Sequence, residues 1–112
     1  MVWPPASRAA DWDQVTESYR TAARAVDGIV FPVGEAFRAA LHRDPGLSLF
    51  AGDGFHPSSA GTYLAALVIY AQASNRSPIW ISGIGGIASL PPGEVEALEA
   101  GASEAIDRFS SP

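Results

Sequence analysis

Asp53 and His56 are the residue types in this chain best suited to acid–base chemistry, and they lie three positions apart in Gly52-Asp53-Gly54-Phe55-His56-Pro57. A carboxylate that accepts a hydrogen bond from an imidazole Nδ1–H fixes the ring's tautomer. Nε2 is then left to take a proton from a hydroxyl nucleophile. Gly52 and Gly54 permit the tight backbone path this requires. Pro57 stiffens the residue after the imidazole and suits entry into a helix. Ser58 and Ser59 then read as helix caps rather than nucleophiles. The same spacing also fits a loop in which Asp53 and His56 simply cap the following helix. Phe55, between the pair, reads either as part of an acyl-pocket wall and so substrate-binding, or as an anchor for the loop.

The elements that must position this loop follow from hydrophobic periodicity. Trp12, Val15, Tyr19, Ala22, Ala23 and Val26 repeat at spacings of three and four, which predicts an amphipathic helix over 11–27. Asp11 with Gln14 fits a capping box, and Gly28 is placed to stop the helix. Ile29 to Val33 is short, β-branched and apolar and reads as a strand, with Pro32 restricting it to a sheet edge or a strand end. A short helix over 35–42 is expected to bury Phe37, Ala40 and Leu41. Asp44-Pro45-Gly46 is a turn. Leu47 to Phe50 leads into the Asp53–His56 loop. A helix over 59–74 is expected to bury Tyr63, Leu64, Leu67, Val68 and Ala71. After an apolar, Gly-rich stretch over 79–88, Pro91-Pro92 opens a last helix to Phe109, with Val95, Leu98, Ala102, Ile106 and Phe109 inward. Its acids read as a solvated face. Helix, strand, helix, loop, helix is an α/β order, and Met1-Val2-Trp3-Pro4-Pro5 reads as the end of a buried strand.

Composition narrows the function classes. At 112 residues the chain is one domain or part of one, and 47% hydrophobic content is that of a globular chain. The net charge of −5, with seven arginines and no lysine, offers no basic patch for nucleic acid. Absence of lysine excludes a Schiff-base lysine and a phosphate-loop lysine. Absence of cysteine excludes a disulfide framework, a thiolate nucleophile and a cysteine zinc site. No apolar run reaches the length of a membrane span, and the N-terminus has none of the regions of a signal peptide.

Asp53-Gly54-Phe55-His56-Pro57-Ser58, followed by Gly61-Thr62-Tyr63-Leu64-Ala65-Ala66, closely resembles the last conserved block of the SGNH (GDSL-type) hydrolases. Met1 to Pro5, Val15 to Ala23 and Val30 to Phe37 are similar to the strand, helix and late strand that precede that block. The resemblance covers about 1–73. It implies a flavodoxin-like three-layer α/β/α fold, of which 1–112 would be the C-terminal part of a single domain. It implies hydrolysis of carboxylic esters, with an acyl or acetylated-sugar ester as substrate and no cofactor or metal. Asp53 and His56 carry over as the acid and base of a Ser-His-Asp triad. Export to a secreted or periplasmic location is implied by the family alone. The family's nucleophile lies in a Gly-Asp-Ser block and its oxyanion hole uses a Gly-x-Asn block. No serine here has that context, and the single asparagine, Asn75, sits in Ser-Asn-Arg.

Other residues offer weaker chemistry. Gly83-Ile84-Gly85-Gly86-Ile87-Ala88 formally fits a dinucleotide fingerprint, but Leu90-Pro91-Pro92 follows where a helix would have to open, so a loop is the better reading. His42 reads as solvated or as compensating a helix dipole. It makes no metal site with His56. Trp3, Trp12 and Trp80 are candidates to line a cleft, with core packing favoured for Trp12. Three hypotheses follow: a serine ester hydrolase whose nucleophile lies outside these residues; a non-catalytic binding module that keeps the Asp–His loop as structure and self-associates through an uncovered sheet edge; and a split enzyme completed by a second chain.

Overall fold

A computed structural model describes residues 1–78 and 90–109. Among the described residues the regular structure is α1 (Trp12–Ala25), α2 (Val33–Arg43), α3 (Ser59–Ser74) and α4 (Pro92–Phe109), with a short 3-10 segment, Ala6–Asp11, ahead of α1. The stretch over 79–88, with Trp80 and the glycine-rich fingerprint, lies outside the described residues.

The core is formed where α2, α3 and α4 meet. Phe37, Leu49, Leu64, Val68 and Leu98 are wholly buried there. α2 and α4 approach closely because their facing positions are small. A Cβ on Gly101 would come within 2.9 Å of Ala40 N and 3.1 Å of Ala36 O, so glycine is what allows the two backbones this separation. Ala36, Ala40, Ala102 and Ala105 continue the same seam. α3 carries no charged residue along its length. It buries Leu64, Leu67, Val68 and Ala71 but leaves Ile69 and Tyr70 about half exposed.

α1 is attached to this core mainly through its first two turns. The Trp12 indole is buried and donates to Gly34 O at 3.1 Å. Thr16 Oγ1 donates to the carboxylate of Glu35. Arg38 reaches both Glu35 (Nη2–Oε1 2.6 Å) and Asp13 (2.8 Å). These contacts join the first two turns of α1 to the first two turns of α2. The second half of α1 is different: the residues expected inward at Tyr19, Ala22 and Val26 face solvent, Val26 at 77% exposure. The helix ends at Ala25, two residues short of the expected end at 27. Asp27 takes the left-handed conformation (φ 52°), and Gly28 N closes the end on Ala23 O at 2.8 Å. Asp11 does not cap α1; its carboxylate pairs with Arg8 at 2.6 Å.

The α/β/α expectation is overturned. There is no strand and no sheet among the described residues, and the only bridge is an isolated antiparallel one between Phe50 and Pro57. Met1–Trp3 and Ile29–Phe31 meet through one hydrogen bond, Met1 N to Phe31 O (2.8 Å), while Met1 O accepts from Gly34 N in the first turn of α2 (3.2 Å); no ladder forms among the described residues. The physical reason is that a parallel strand must be covered on both faces and bonded on its edges. Val2 is 50% and Ile29 60% exposed, and Pro4, Pro5 and Pro32 have no N–H to extend a ladder. Val33 therefore begins a helix, two residues earlier than the sequence indicates. The sheet edge invoked for self-association is likewise absent among the described residues.

Candidate functional site

The Asp53–His56 loop is held at both ends by the core. Leu47 and Leu49 are buried and fix the chain before it; Ser58 caps α3 after it, accepting from Gly61 N at 3.2 Å. Ser58 Oγ also donates to Ser48 O, and Ser58 N donates to Leu49 O at 2.9 Å. Ser58 is thus engaged as a cap, which accounts for its hydroxyl. Between these anchors the loop closes on itself: Ala51 N donates to His56 O at 2.7 Å and Gly54 N to Ala51 O at 3.0 Å. Gly54 has φ +71°, a conformation costly for any side chain with a Cβ.

Two contacts distant in sequence pin the tip. Ala6 N donates to Gly54 O, and the Trp3 indole N–H donates to Phe55 O, both at 2.8 Å. Trp3 stacks on the wholly buried Phe37, ring centroids 4.2 Å apart and planes 10° from parallel. The loop is therefore tied to α2 through one tryptophan. Trp3 also lines an open cleft of about 390 Å³ with Pro4, Pro5 and Arg8. Trp12, by contrast, is core, as its place on the helix stripe indicates.

Within the loop, Asp53 organises both the backbone and the ring. Its Oδ1 accepts from Phe55 N (3.0 Å) and His56 N (2.9 Å), an Asx-type turn. Its Oδ2 faces His56 Nδ1 at hydrogen-bond distance. The hydrogen bond from His56 is the largest influence on the carboxyl group, followed by the two backbone N–H groups; together they hold its pKa down to about 2, from an ordinary 3.8. Asp53 is thus a carboxylate throughout the neutral range. The His56 side chain is 72% exposed, so Nε2 is open to solvent. The Phe55 ring lies edge-on to the imidazole at 5.4 Å and is 41% exposed. It forms a flank to the pair rather than the wall of an enclosed pocket.

The chemistry this arrangement can perform is that of an oriented base. Neutral His56, with its proton held on Nδ1 by Asp53, presents Nε2 as an acceptor. No described hydroxyl bonds to that nitrogen. Asn75 lies beyond the far end of α3 in a left-handed cap, placed to end the helix. Among the described residues no group of three His, Cys, Asp or Glu side chains is arranged to hold a metal ion, and no helix is long and apolar enough to cross a membrane.

A second constellation was missed in the sequence. Glu35 is buried, with its carboxylate held by Thr16 and by both Nε and Nη2 of Arg38. These bonds raise the Arg38 guanidinium's affinity for its proton above the ordinary value. The sequence signal was available: an acid inside the apolar run Val30–Phe37, with an arginine three residues on, is buried only if paired. His42 sits exposed in the last turn of α2 and lines the cleft between α1, α2 and α4.

No known family model, curated protein or solved structure matches this chain. The resemblance to the hydrolase family thus rests on the sequence block alone, and the α/β fold it implies is corrected by the helical fold.

Proposed function

We propose that the Asp53–His56 loop is the acid–base half of a serine-type carboxylic ester hydrolase site, in which His56 Nε2 takes the proton from a hydroxyl outside the described residues. The observation that carries this reading is the double use of Asp53. One oxygen is fixed by two backbone N–H groups, so the other is aimed at Nδ1. A carboxylate anchored in this way orients the ring at little further entropic cost. The SGNH-like block around the pair supports the same roles and suggests an acyl or acetylated-sugar ester as substrate. The proposal does not rest on the fold.

One observation favours a second reading, a non-catalytic module that keeps the loop as structure. Loop 51–57 has a structural role of its own in joining Trp3, Ala6 and the α3 cap, and no described hydroxyl bonds to His56 Nε2.

Hydrolysis of p-nitrophenyl acetate by the purified chain separates the two when read against an equal concentration of free imidazole, because a site exceeds that background and a merely structural, exposed histidine does not. Under the first reading the rate is lost in His56→Ala, kept in His42→Ala, and lowered about two- to fivefold in Asp53→Asn, as expected for loss of an exposed charged partner. Equal rates for His56→Ala and His42→Ala would leave only the structural reading.

A further inference from the structure

A cleft of about 600 Å³ lies between α1, α2 and the end of α4, and no residue of the 51–57 loop lines it. Its charges are unevenly satisfied. Glu35 and Asp13 are both bonded to Arg38. Glu17 is bonded to Arg24 at 2.7 Å, and Glu104 reaches Arg43 and Arg108 at 3.4 Å each. Every carboxylate in the cleft therefore has a cationic partner. The arginines do not all have acceptors. Arg20 makes no hydrogen bond or ion pair among the described residues and influences Glu17 only through space. Its guanidinium lies 5.5 Å from the Phe109 ring centroid, and that of Arg108 lies 5.2 Å from the same ring.

Two guanidinium groups are thus gathered at one ring; among the described residues one has no hydrogen-bond acceptor and the other a single long contact. Cation–π attraction holds each near the ring but satisfies none of its N–H groups. The spare capacity of the cleft is for a hydrogen-bond acceptor with negative charge. We infer that the cleft binds a small oxyanion, a carboxylate or a phosphate, at Arg20 and Arg108 beside Phe109. A planar guanidinium meets two oxygens of such a group at once. Glu17 and Glu104 nearby oppose an anion, which places the site among weak, readily exchanging ones.

The test is a proton–nitrogen NMR titration of the full chain with sodium phosphate and, separately, sodium acetate. Ionic strength is held constant with sodium chloride, and sodium chloride alone serves as the control. The expected result is saturable shifts at Arg20 Nε, Arg108 Nε and the Phe109 amide with at least one of the two probes and not with chloride. Arg20→Gln and Arg108→Gln each weaken that binding by about two- to fivefold. Arg76→Gln, an exposed arginine outside the cleft, leaves it unchanged. Shifts that do not saturate, or a dissociation constant changed less than twofold by Arg20→Gln, or changed equally by Arg76→Gln, would overturn the inference. Acetate-only saturation identifies a carboxylate site and phosphate-only saturation a phosphate site.

Discussion

Replacing Gly61 with alanine adds one methyl group at the point where the first turn of α3 presses on the chain entering the Asp53–His56 loop. The new Cβ would stand 2.3 Å from Leu49 O, 3.1 Å from Phe37 Cζ and 3.2 Å from Pro57 Cβ. Ordinary contact begins at 3.4 Å, so the turn and the Leu49 carbonyl must separate by about 1 Å. The contact is with backbone, so no side-chain rotation relieves it. Overpacking of this kind costs about 1–3 kcal/mol. The same shift weakens the Ser58 N to Leu49 O bond, a further loss of about 1 kcal/mol. Alanine's better helix propensity returns about 1 kcal/mol. The net expectation is destabilisation by about 2 kcal/mol, which lowers Tm by roughly 10 °C in a domain of this size. Urea unfolding with an unchanged m value measures it. Gly52→Ala is the control, since a Cβ there meets nothing within 4 Å; its effect should stay within about 0.5 kcal/mol. A Gly61→Ala protein as stable as the parent would refute the seating of α3 on Leu49, and with it the position given to the loop.

Three further outcomes follow from the same geometry. Ser58→Ala removes the α3 cap and the partner of Ser48 O, and should cost about 1 kcal/mol in chemical unfolding. Glu35→Ala leaves Thr16 and Arg38 without their shared acceptor and opens the joint between α1 and α2. A loss of about 1–3 kcal/mol is expected in urea unfolding, smaller than for a fully buried pair because Arg38 is 39% exposed. Asp53 has a folded-state pKa depressed from 3.8 to about 2, so its contribution to stability is fully present above 3.8 and is lost as pH falls through about 2. In His56→Ala the carboxyl pKa, read by carbon NMR, should rise towards 3.8 yet stay below it, because two backbone N–H donors remain.

What could be read from the sequence divides by the range of the interactions involved. The span of α3 follows from its apolar run, Ser58 and the Asn75 stop, all local signals. The start of α4 follows from Pro91-Pro92 and its end from the Leu98–Phe109 periodicity. The Asp53–His56 geometry was legible for the same reason: the bonds Asp53 makes to the loop and to His56 span two or three residues. The pinning of the loop by Trp3 spans 52 residues and has no local signature. The inward face of α1 was misjudged because its second anchor is Thr16, a polar residue beside the apolar stripe, held by a buried acid. The Ile29–Val33 strand failed for a related reason. Its β-branched residues suit a strand, but a strand exists only through neighbours, and among the described residues its pairing with Met1 is a single hydrogen bond, Met1 N to Phe31 O.

The central claim is that Asp53 holds His56 in one tautomer with Nε2 bare. Long-range proton–nitrogen NMR of the neutral imidazole tests it directly. The account predicts a protonated Nδ1 and an unprotonated Nε2 in the parent chain, with that preference lost in Asp53→Asn. A proton on Nε2 in the parent, or the same tautomer balance with and without the Asp53 carboxylate, would contradict it.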